Sequence, residues 1–465
     1  MKKSLLYKVL IVLICLVFLP LQVAMATVLG NLRSGVNADR TRLVLNFDKM
    51  PKYSESVSDN QLIITFDGKV KRSEKLQLKD TLVKSATLER FNNQSRLVVT
   101  FYKSVPKYSI FSLKSPNRLV IDLKRVNYDK RVIKIADGVI YTYLREYVDS
   151  LPEEFYILEI SPTSGYTLKP ILGQGNCIQK GVLSQMASNA GAKAAINASY
   201  FDSDVWVVGN LMIDKKWVSA EDTPRTALII DDNDRAQIIT NTSYSGKVIR
   251  GDGISVPITG LNRMRLTNDL IYYNDAYGSS TGTNIYGIEA RIVNNRVTEI
   301  SKRGNLALRR NTVVLSGNGT SAVFLQGLKL GAKVKIQQSF GRTEADYAKH
   351  VLGVGPLLVD NGVQNVQTTA EEIADDIAVG RSPRTAIGIR ADGTIVILVV
   401  DGRSASSSGM SLDELARYMV KLKVNRAMNF DGGGSSEMVV NGDVVNAPSD
   451  GDERPIRVGL GVFGR

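Results

Sequence analysis

Apolar and polar residues alternate through TRLVLNF (residues 41–47), QLIITF (61–66), SRLVVTF (95–101) and NRLVIDL (117–123), placing the apolar side chains on one face of each segment. A period of two is that of a half-buried β-strand. The pattern also repeats itself, since residues 41–66 return as residues 95–123, each copy holding a strand, a Pro-Lys-Tyr turn and a further strand. These segments predict a small β-sandwich. Beyond residue 128 the strands become apolar throughout, as in IVILVV before Asp401 and AAI before Asn197. Ser411 and Glu414 predict a capping box for a helix with Leu412, Leu415, Ala416, Met419 and Leu422 on its apolar face. A second helix is expected at 182–189, stopped by Gly191. Twice, at Asn197 and at Asp431, the order is helix, buried strand, polar loop. Hairpin patterns (LMIDKKWV, LLVDNGVQNV, MVVNGDVV) precede Arg225, Arg384 and Arg454, and PRTALIIDDND echoes PRTAIGIRADG, so the three arginines are expected at comparable places in one elaborated sheet. Residues 246–341, rich in short strands and Asn/Gly turns, are expected as a strand-rich insertion. The fold class is α+β: an N-terminal β-sandwich at 27–127, then a larger mixed α/β domain at 128–465.

Charge separates the same two parts. Residues 27–135 hold 22 Lys/Arg against 10 Asp/Glu, whereas the rest beyond them is close to neutral, in a chain of net charge +13. The first residues carry Lys2, Lys3 and Lys8, then an apolar run from Val9 to Leu19, then Ala24-Met25-Ala26. That is the layout of a secretory signal peptide at 1–26, its apolar core short of the roughly 20 residues that span a bilayer. The chain is therefore expected to be exported and envelope-associated, or membrane-anchored if the signal stays uncleaved. Removal of the leader with Cys15 leaves Cys177 alone, excluding an intramolecular disulfide; Cys177 reads as a small buried hydrophobe. A basic exported module points to envelope polyanions such as teichoic acid or peptidoglycan carboxylates, and the address argues against nucleic acid.

One histidine, His350, excludes more chemistry than any other count. Sites built on several His ligands are ruled out, a Ser-His-Asp triad would need His350 itself, and proton transfer falls mainly to Asp and Glu. His350 is expected to be structural. Asp231, Asp232 and Asp234 lack the glycine and distal Glu of an EF-hand loop and read as a polar turn. The densest concentration of site-forming residues is NFDGGGSSE at 429–437, where Asp431 precedes three glycines able to bare successive N–H groups to an anion.

Residues 27–127, with their recurring R-L-V strands, resemble the AMIN domain, which implies a β-sandwich and binding to peptidoglycan or localisation at the envelope. Read together, AAINASYF, GVGPLLVDNG, PRTAIGIRADG, VVDGRSASSSGMSLDELARYM, NFDGGGSSEMVVNG and VVNAPSDGDERP resemble the phosphodiester glycosidase family. The chain departs from it at Asn197-Ala198, where a glycine commonly follows, and at Glu437, where small hydroxyl residues are tolerated; Glu437 is accordingly not taken as catalytic. The resemblance implies an exported hydrolase cleaving a sugar-1-phosphodiester, N-acetylglucosamine-like, in envelope glycans. A phosphodiester is already a good leaving group, so the needs are oxocarbenium stabilisation and a grip on phosphate. Asp431 is then the leading base or nucleophile and Asp401 its partner. Arg384 and Arg403 would hold the phosphate with the backbone at Gly433, Gly434 and Ser435. Asn197, Ser436 and Asn446 would bond sugar hydroxyls, and Arg454 would serve either task or brace Asp431. Two other readings stay open on the sequence: a phosphodiesterase breaking P–O with a carboxylate-bound divalent cation, and a non-catalytic glycan-binding protein.

Overall fold

The alternating segments pair as antiparallel strands. In the computed structural model, which describes residues 26–465 apart from 38–39, 79, 81, 103, 126–127, 150, 202–205 and 405, the chain divides after Tyr128. The leader expected at 1–26 lies outside the described residues except for Ala26, which opens the first strand. Among the described residues no helix is long and apolar enough to cross a membrane.

The N-terminal unit is two five-stranded sheets face to face. Arg40–Phe47 and Gln61–Phe66 each bury every second residue, and Leu43, Leu45 and Phe47 of one sheet share a core with Leu62, Ile64 and Phe66 of the other. Phe47 and Phe66 meet edge to face at 5.4 Å. The Pro-Lys-Tyr segments are crossovers between sheets rather than turns within one. Arg40–Phe47 pairs with Asn117–Lys124 of the second copy, and Gln61–Phe66 with Gln94–Phe101, so each copy gives its first strand to one sheet and its last pair to the other. Both crossovers close alike: Asp67 N–H donates to Lys52 O at 3.0 Å, and Lys124 N–H to Lys107 O at 2.8 Å.

The second unit is built on an antiparallel eight-stranded sheet whose inner strands are Leu151–Ile160, Ile395–Val400, Arg384–Ile389 and Arg426–Asn429, in that order. Ile395–Val400 is apolar throughout because both its faces are covered. Val396, Leu398 and Val400 pack against the helix Leu412–Lys421, while Ile397 and Val399 face a core shared with Ile196, Met438 and Leu460 of another sheet. Each such side chain contributes about 1.5–3 kcal/mol by leaving water, so a Leu398→Ala truncation would cost about 2–5 kcal/mol. The helix is fixed at its start by the predicted capping box: Glu414 N–H donates to Ser411 Oγ at 3.2 Å and Ser411 N–H to Glu414 Oε2 at 2.8 Å. The second helix runs Leu183–Ala190 and ends on Gly191 at φ 70°.

The three arginines do not share one sheet. Arg225 opens a strand of a separate five-stranded sheet, Arg384 opens a strand of the eight-stranded sheet, and Arg454 lies in a loop. Residues 246–341 form a three-stranded and a five-stranded sheet, with the helix Gly319–Gln326, around a core of Leu261, Leu270, Ile288, Leu315 and Phe324 shared with Met212, Ala227, Ile229 and Val351 of the sheet that holds Arg225.

Candidate active site

Ile395–Val400 and Arg426–Asn429 both run antiparallel to the Arg384–Ile389 strand between them. Asp401, Arg384 and the loop after Asn429 therefore leave one edge of the sheet. At this edge lies a cavity of about 310 Å³ lined by Tyr200, Arg384, Arg403, Asp431, Arg454 and Asp376, with the glycine run as part of its wall.

Asp431 is half-buried, and desolvation raises its carboxyl to about 6, opposed by the Ser435 hydroxyl, the Gly432 N–H (2.8 Å to Oδ1) and the Arg454 charge, and aided by Asp376. Its backbone is fixed on both sides, its N–H donating to Ala198 O at 2.9 Å and its carbonyl accepting from Asn197 Nδ2 at 2.6 Å. The glycine run turns as a short 3-10 helix, Gly433–Ser435, with Gly433 at φ 61°. A Cβ at Gly434 would stand 2.1 Å from Arg454 Nη2 and 2.3 Å from Asp450 Oδ1, so a side chain there would push this ion pair aside. The expectation that the backbone at Gly433 and Ser435 cradles phosphate is corrected, because those N–H groups are spent within the protein. Gly433 N–H is spent on Pro383 O (2.9 Å), Ser435 N–H on Gly432 O (3.2 Å) and Ser436 N–H on Gly433 O (3.1 Å).

The other expected residues separate into those on the cavity and those behind it. Arg403 is exposed at the rim, its Nη1 lying 3.4 Å from Ser449 Oγ, and it sits at φ 59°, a left-handed conformation unusual for a residue with a side chain. Arg454 holds Asp450 through Nε (2.8 Å) and Nη2 (2.7 Å), and its Nη1 lies 3.5 Å from Ser435 Oγ. Arg384 lines the cavity but spends its fork elsewhere: Nε donates to Met410 O (2.8 Å), Nη1 to Ile377 O (3.0 Å) and Nη2 to Gly380 O (3.0 Å). Its structural role is to brace the cavity wall.

Asp401, expected as the partner of Asp431, lies behind the wall. Only 3% exposed, it accepts from Tyr156 Oη (2.9 Å), Asn446 Nδ2 (2.9 Å) and Ala447 N–H (3.1 Å), and burial raises its pKa in spite of them. Asn446 has no group left for a sugar: its amide hydrogens go to Asp401 and Ser436 O, and its oxygen accepts Met438 N–H at 2.8 Å. Asn197 is likewise turned inward, its Oδ1 accepting from Thr385 Oγ1 (2.7 Å) and Glu437 N–H (3.1 Å). Ser436 is buried and does not line the cavity. These polar strand-end residues face the protein because three loops meet there and need cross-links.

Glu437 is buried beside Glu453; burial first, and then that neighbour, push its carboxyl up to about 9, so at neutral pH it is protonated and donates a hydrogen bond to Glu453. Glu453 in turn accepts Ser184 N–H (2.9 Å) and Oγ (2.6 Å). His350 is buried and held near 4 by desolvation, its Nδ1 accepting Asp214 N–H at 3.1 Å, which makes it a neutral structural residue. Cys177 is a half-buried free thiol. Among the described residues no group of three His, Cys, Asp or Glu is gathered as for a metal ion. Asp376 and Tyr200 were missed by the sequence reading of the site; Tyr200 belongs to the NASYF motif, but Asp376 lies in an acidic run, EEIADD, with no periodicity to mark it.

The fold and the cavity define a strand-rich domain that presents two carboxylates and three arginines at one sheet edge. Residues 286–463 match the family model described as phosphodiester glycosidase, and residues 31–123 match the AMIN domain. The chain is 34% identical over 230 residues to an uncharacterised protein of Rickettsia conorii, covering 46% of this chain and 77% of that one. It is 33% identical over 116 residues to the N-acetylglucosamine-1-phosphodiester alpha-N-acetylglucosaminidase of Bos taurus, covering 23% of this chain and 22% of that enzyme. A solved structure of a hypothetical protein from Synechocystis shares the fold, with TM-score 0.65 and 21% identity over 95% of this chain and 81% of that one. The chain belongs to the phosphodiester glycosidase family and carries an AMIN domain ahead of its glycosidase domain.

Proposed function

We propose that this chain is an exported hydrolase that cleaves the C1–O bond of a sugar-1-phosphodiester, an N-acetylglucosamine-like sugar being the first candidate, in glycans of the cell envelope. The observation that carries the reading is Asp431, a carboxylate raised to about 6 and set in a 310 Å³ cavity with Arg403 and Arg454 beside it. A carboxylate in that range serves as a base or nucleophile near neutral pH. The arginines supply fixed positive charge for a phosphodiester, whose departure as a phosphate monoester asks for little help from an acid. In this reading Asp401 acts from behind, holding the loop through Asn446 and Ala447. The family membership and the partial likeness to the bovine enzyme support the same reaction class.

The N-terminal module is proposed to bind envelope polyanions or peptidoglycan, on the strength of its AMIN match and its excess of Lys and Arg. The test is incubation of the protein with an N-acetylglucosamine-phosphate-alkyl diester and with uridine-diphosphate-N-acetylglucosamine, with and without chelator, and product identification by mass spectrometry. Free sugar with phosphate kept on the other fragment is expected. Sugar phosphate as product would move the cleavage to P–O and overturn the glycosidase reading, and tight binding without turnover would make the protein a glycan binder.

A further inference from the structure

The cavity holds a second carboxylate. Besides Asp431, the described lining includes Asp376, in the single helical turn Asp375–Ala378. That turn lies in a strap, residues 371–380, fastened at both ends by the two PRT motifs. At one end the Glu371 carboxylate accepts Thr226 N–H (2.7 Å), Thr226 Oγ1 (2.6 Å) and Leu357 N–H (2.8 Å), and Glu371 O accepts from Arg225. At the other end Ile377 O and Gly380 O accept from Arg384, at 3.0 Å each. Two arginines and a buried glutamate thus fix a short exposed segment whose chemical cargo at the cavity is Asp376. An exposed, unremarkable loop would need no such anchorage, whereas a group that must be held in register with Asp431 does.

Resting on the reading above, we infer that Asp376 is the second catalytic carboxylate, facing Asp431 across the cavity, and that the strap is its positioning device. Asp376 is solvent-open, while Asp431 is half-buried and displaced upward by desolvation. Environments that set two carboxylates apart in this way assign them different roles. As the C1–O bond breaks, its electron pair leaves with the phosphate oxygen. A water oxygen bonds to C1, and the water proton passes to Asp431. Asp376 remains a carboxylate throughout and offsets the positive charge developing on C1 and the ring oxygen.

The test is Asp376→Asn in the full-length protein, with Asp375→Asn, its exposed neighbour, as control. On the N-acetylglucosamine-phosphate-alkyl diester, Asp376→Asn is expected to lower kcat about 100-fold or more with KM within a few-fold. It is also expected to move the acid limb of the kcat/KM profile to lower pH. Among the described residues the groups facing Asp431 are Asp376, Arg454, the Ser435 and Tyr200 hydroxyls, the Gly432 N–H and the Arg384 and Arg403 guanidiniums, and the substitution deletes the one negative neighbour among them. Unchanged kcat, or a limb that stays in place, would overturn the inference. If the wild-type protein turns over no glycosyl phosphodiester, the functional reading fails but the pairing is still readable. A ¹³C titration of the Asp431 carboxyl should then shift down in Asp376→Asn, and an unmoved titration sinks the pair.

Discussion

Asp401 and Asp431 leave the same edge of the same sheet, on strands that flank the Arg384–Ile389 strand, yet they are treated differently by their surroundings. Asp401 meets three donors and is sealed in; Asp431 has its own backbone pinned by Ala198 and Asn197 while its carboxylate looks into an open cavity. Burial raises both above the ordinary carboxylate range, so the shift does not distinguish them. What does is where the remaining hydrogen-bonding capacity points. A saturated carboxylate can only cross-link; an unsaturated one on a cavity wall can react.

The largest expected effect follows directly. Asp431→Asn should lower kcat by about 10³-fold. It should also raise the melting temperature at pH 7, because a folded pKa above the unfolded value makes the ionised group lose stability as pH rises from about 4 to about 6. Steady-state kinetics and thermal melts on one preparation check both signs. Next is Arg403→Ala, which sharpens the contrast because Arg403 stands two residues after Asp401 yet lines the cavity of Asp431. KM for the phosphodiester should rise about 10- to 100-fold, with stability nearly unchanged. Asp401→Asn should do the reverse, setting one amide N–H against a donor. A loss of about 1–3 kcal/mol by urea unfolding is expected, with kcat of the folded protein kept within about tenfold. An Asp401→Asn protein that is stable and inactive would break the comparison.

The smallest effect on turnover concerns Glu437, pushed further up than Asp431 but away from the cavity. Its folded pKa near 9 means that the native state holds an extra proton between about pH 4.5 and 9, so wild-type stability falls as pH rises across that window. Glu437→Gln, which can still donate to Glu453, should flatten this slope by up to about 1.4 kcal/mol per pH unit and leave turnover intact. Melting temperatures of the two proteins at pH 5, 7 and 9 measure it.

Patterns of burial were legible in the sequence where one rule determines them. Alternation in residues 41–47 could mean little but a half-buried strand, the run IVILVV little but a strand covered twice, and Ser411 with Glu414 a helix start. The direction of polar side chains was not legible. Asn197 and Asn446 carry the residue type that binds sugars, but they also suit the joints between loops, and only the fold decides which need is met. The glycine run was read as open backbone, whereas the Gly433 and Ser435 N–H groups close on Pro383 and on the turn itself. Asp376 escaped notice because a charge run on a strap has no period, and its meaning comes from the anchorage of that strap by Arg384 and by Arg225, the latter far from it in the chain. The PRT echo had pointed to comparable places in one sheet; its common element is the strap that both motifs fasten.

The exchange of strands between the two copies in the N-terminal sandwich has a further consequence for how that module can be cut. Because every pairing between the copies joins a first strand to the partner copy's last, a nick in the exposed stretch 71–73 would leave two pieces, each present in both sheets. The pieces would hold one another by fourteen ladder positions, eight in one sheet and six in the other, rather than by the peptide bond, which makes the module a natural candidate for fragment complementation: two halves, separately made, with a shared interior that neither can close alone.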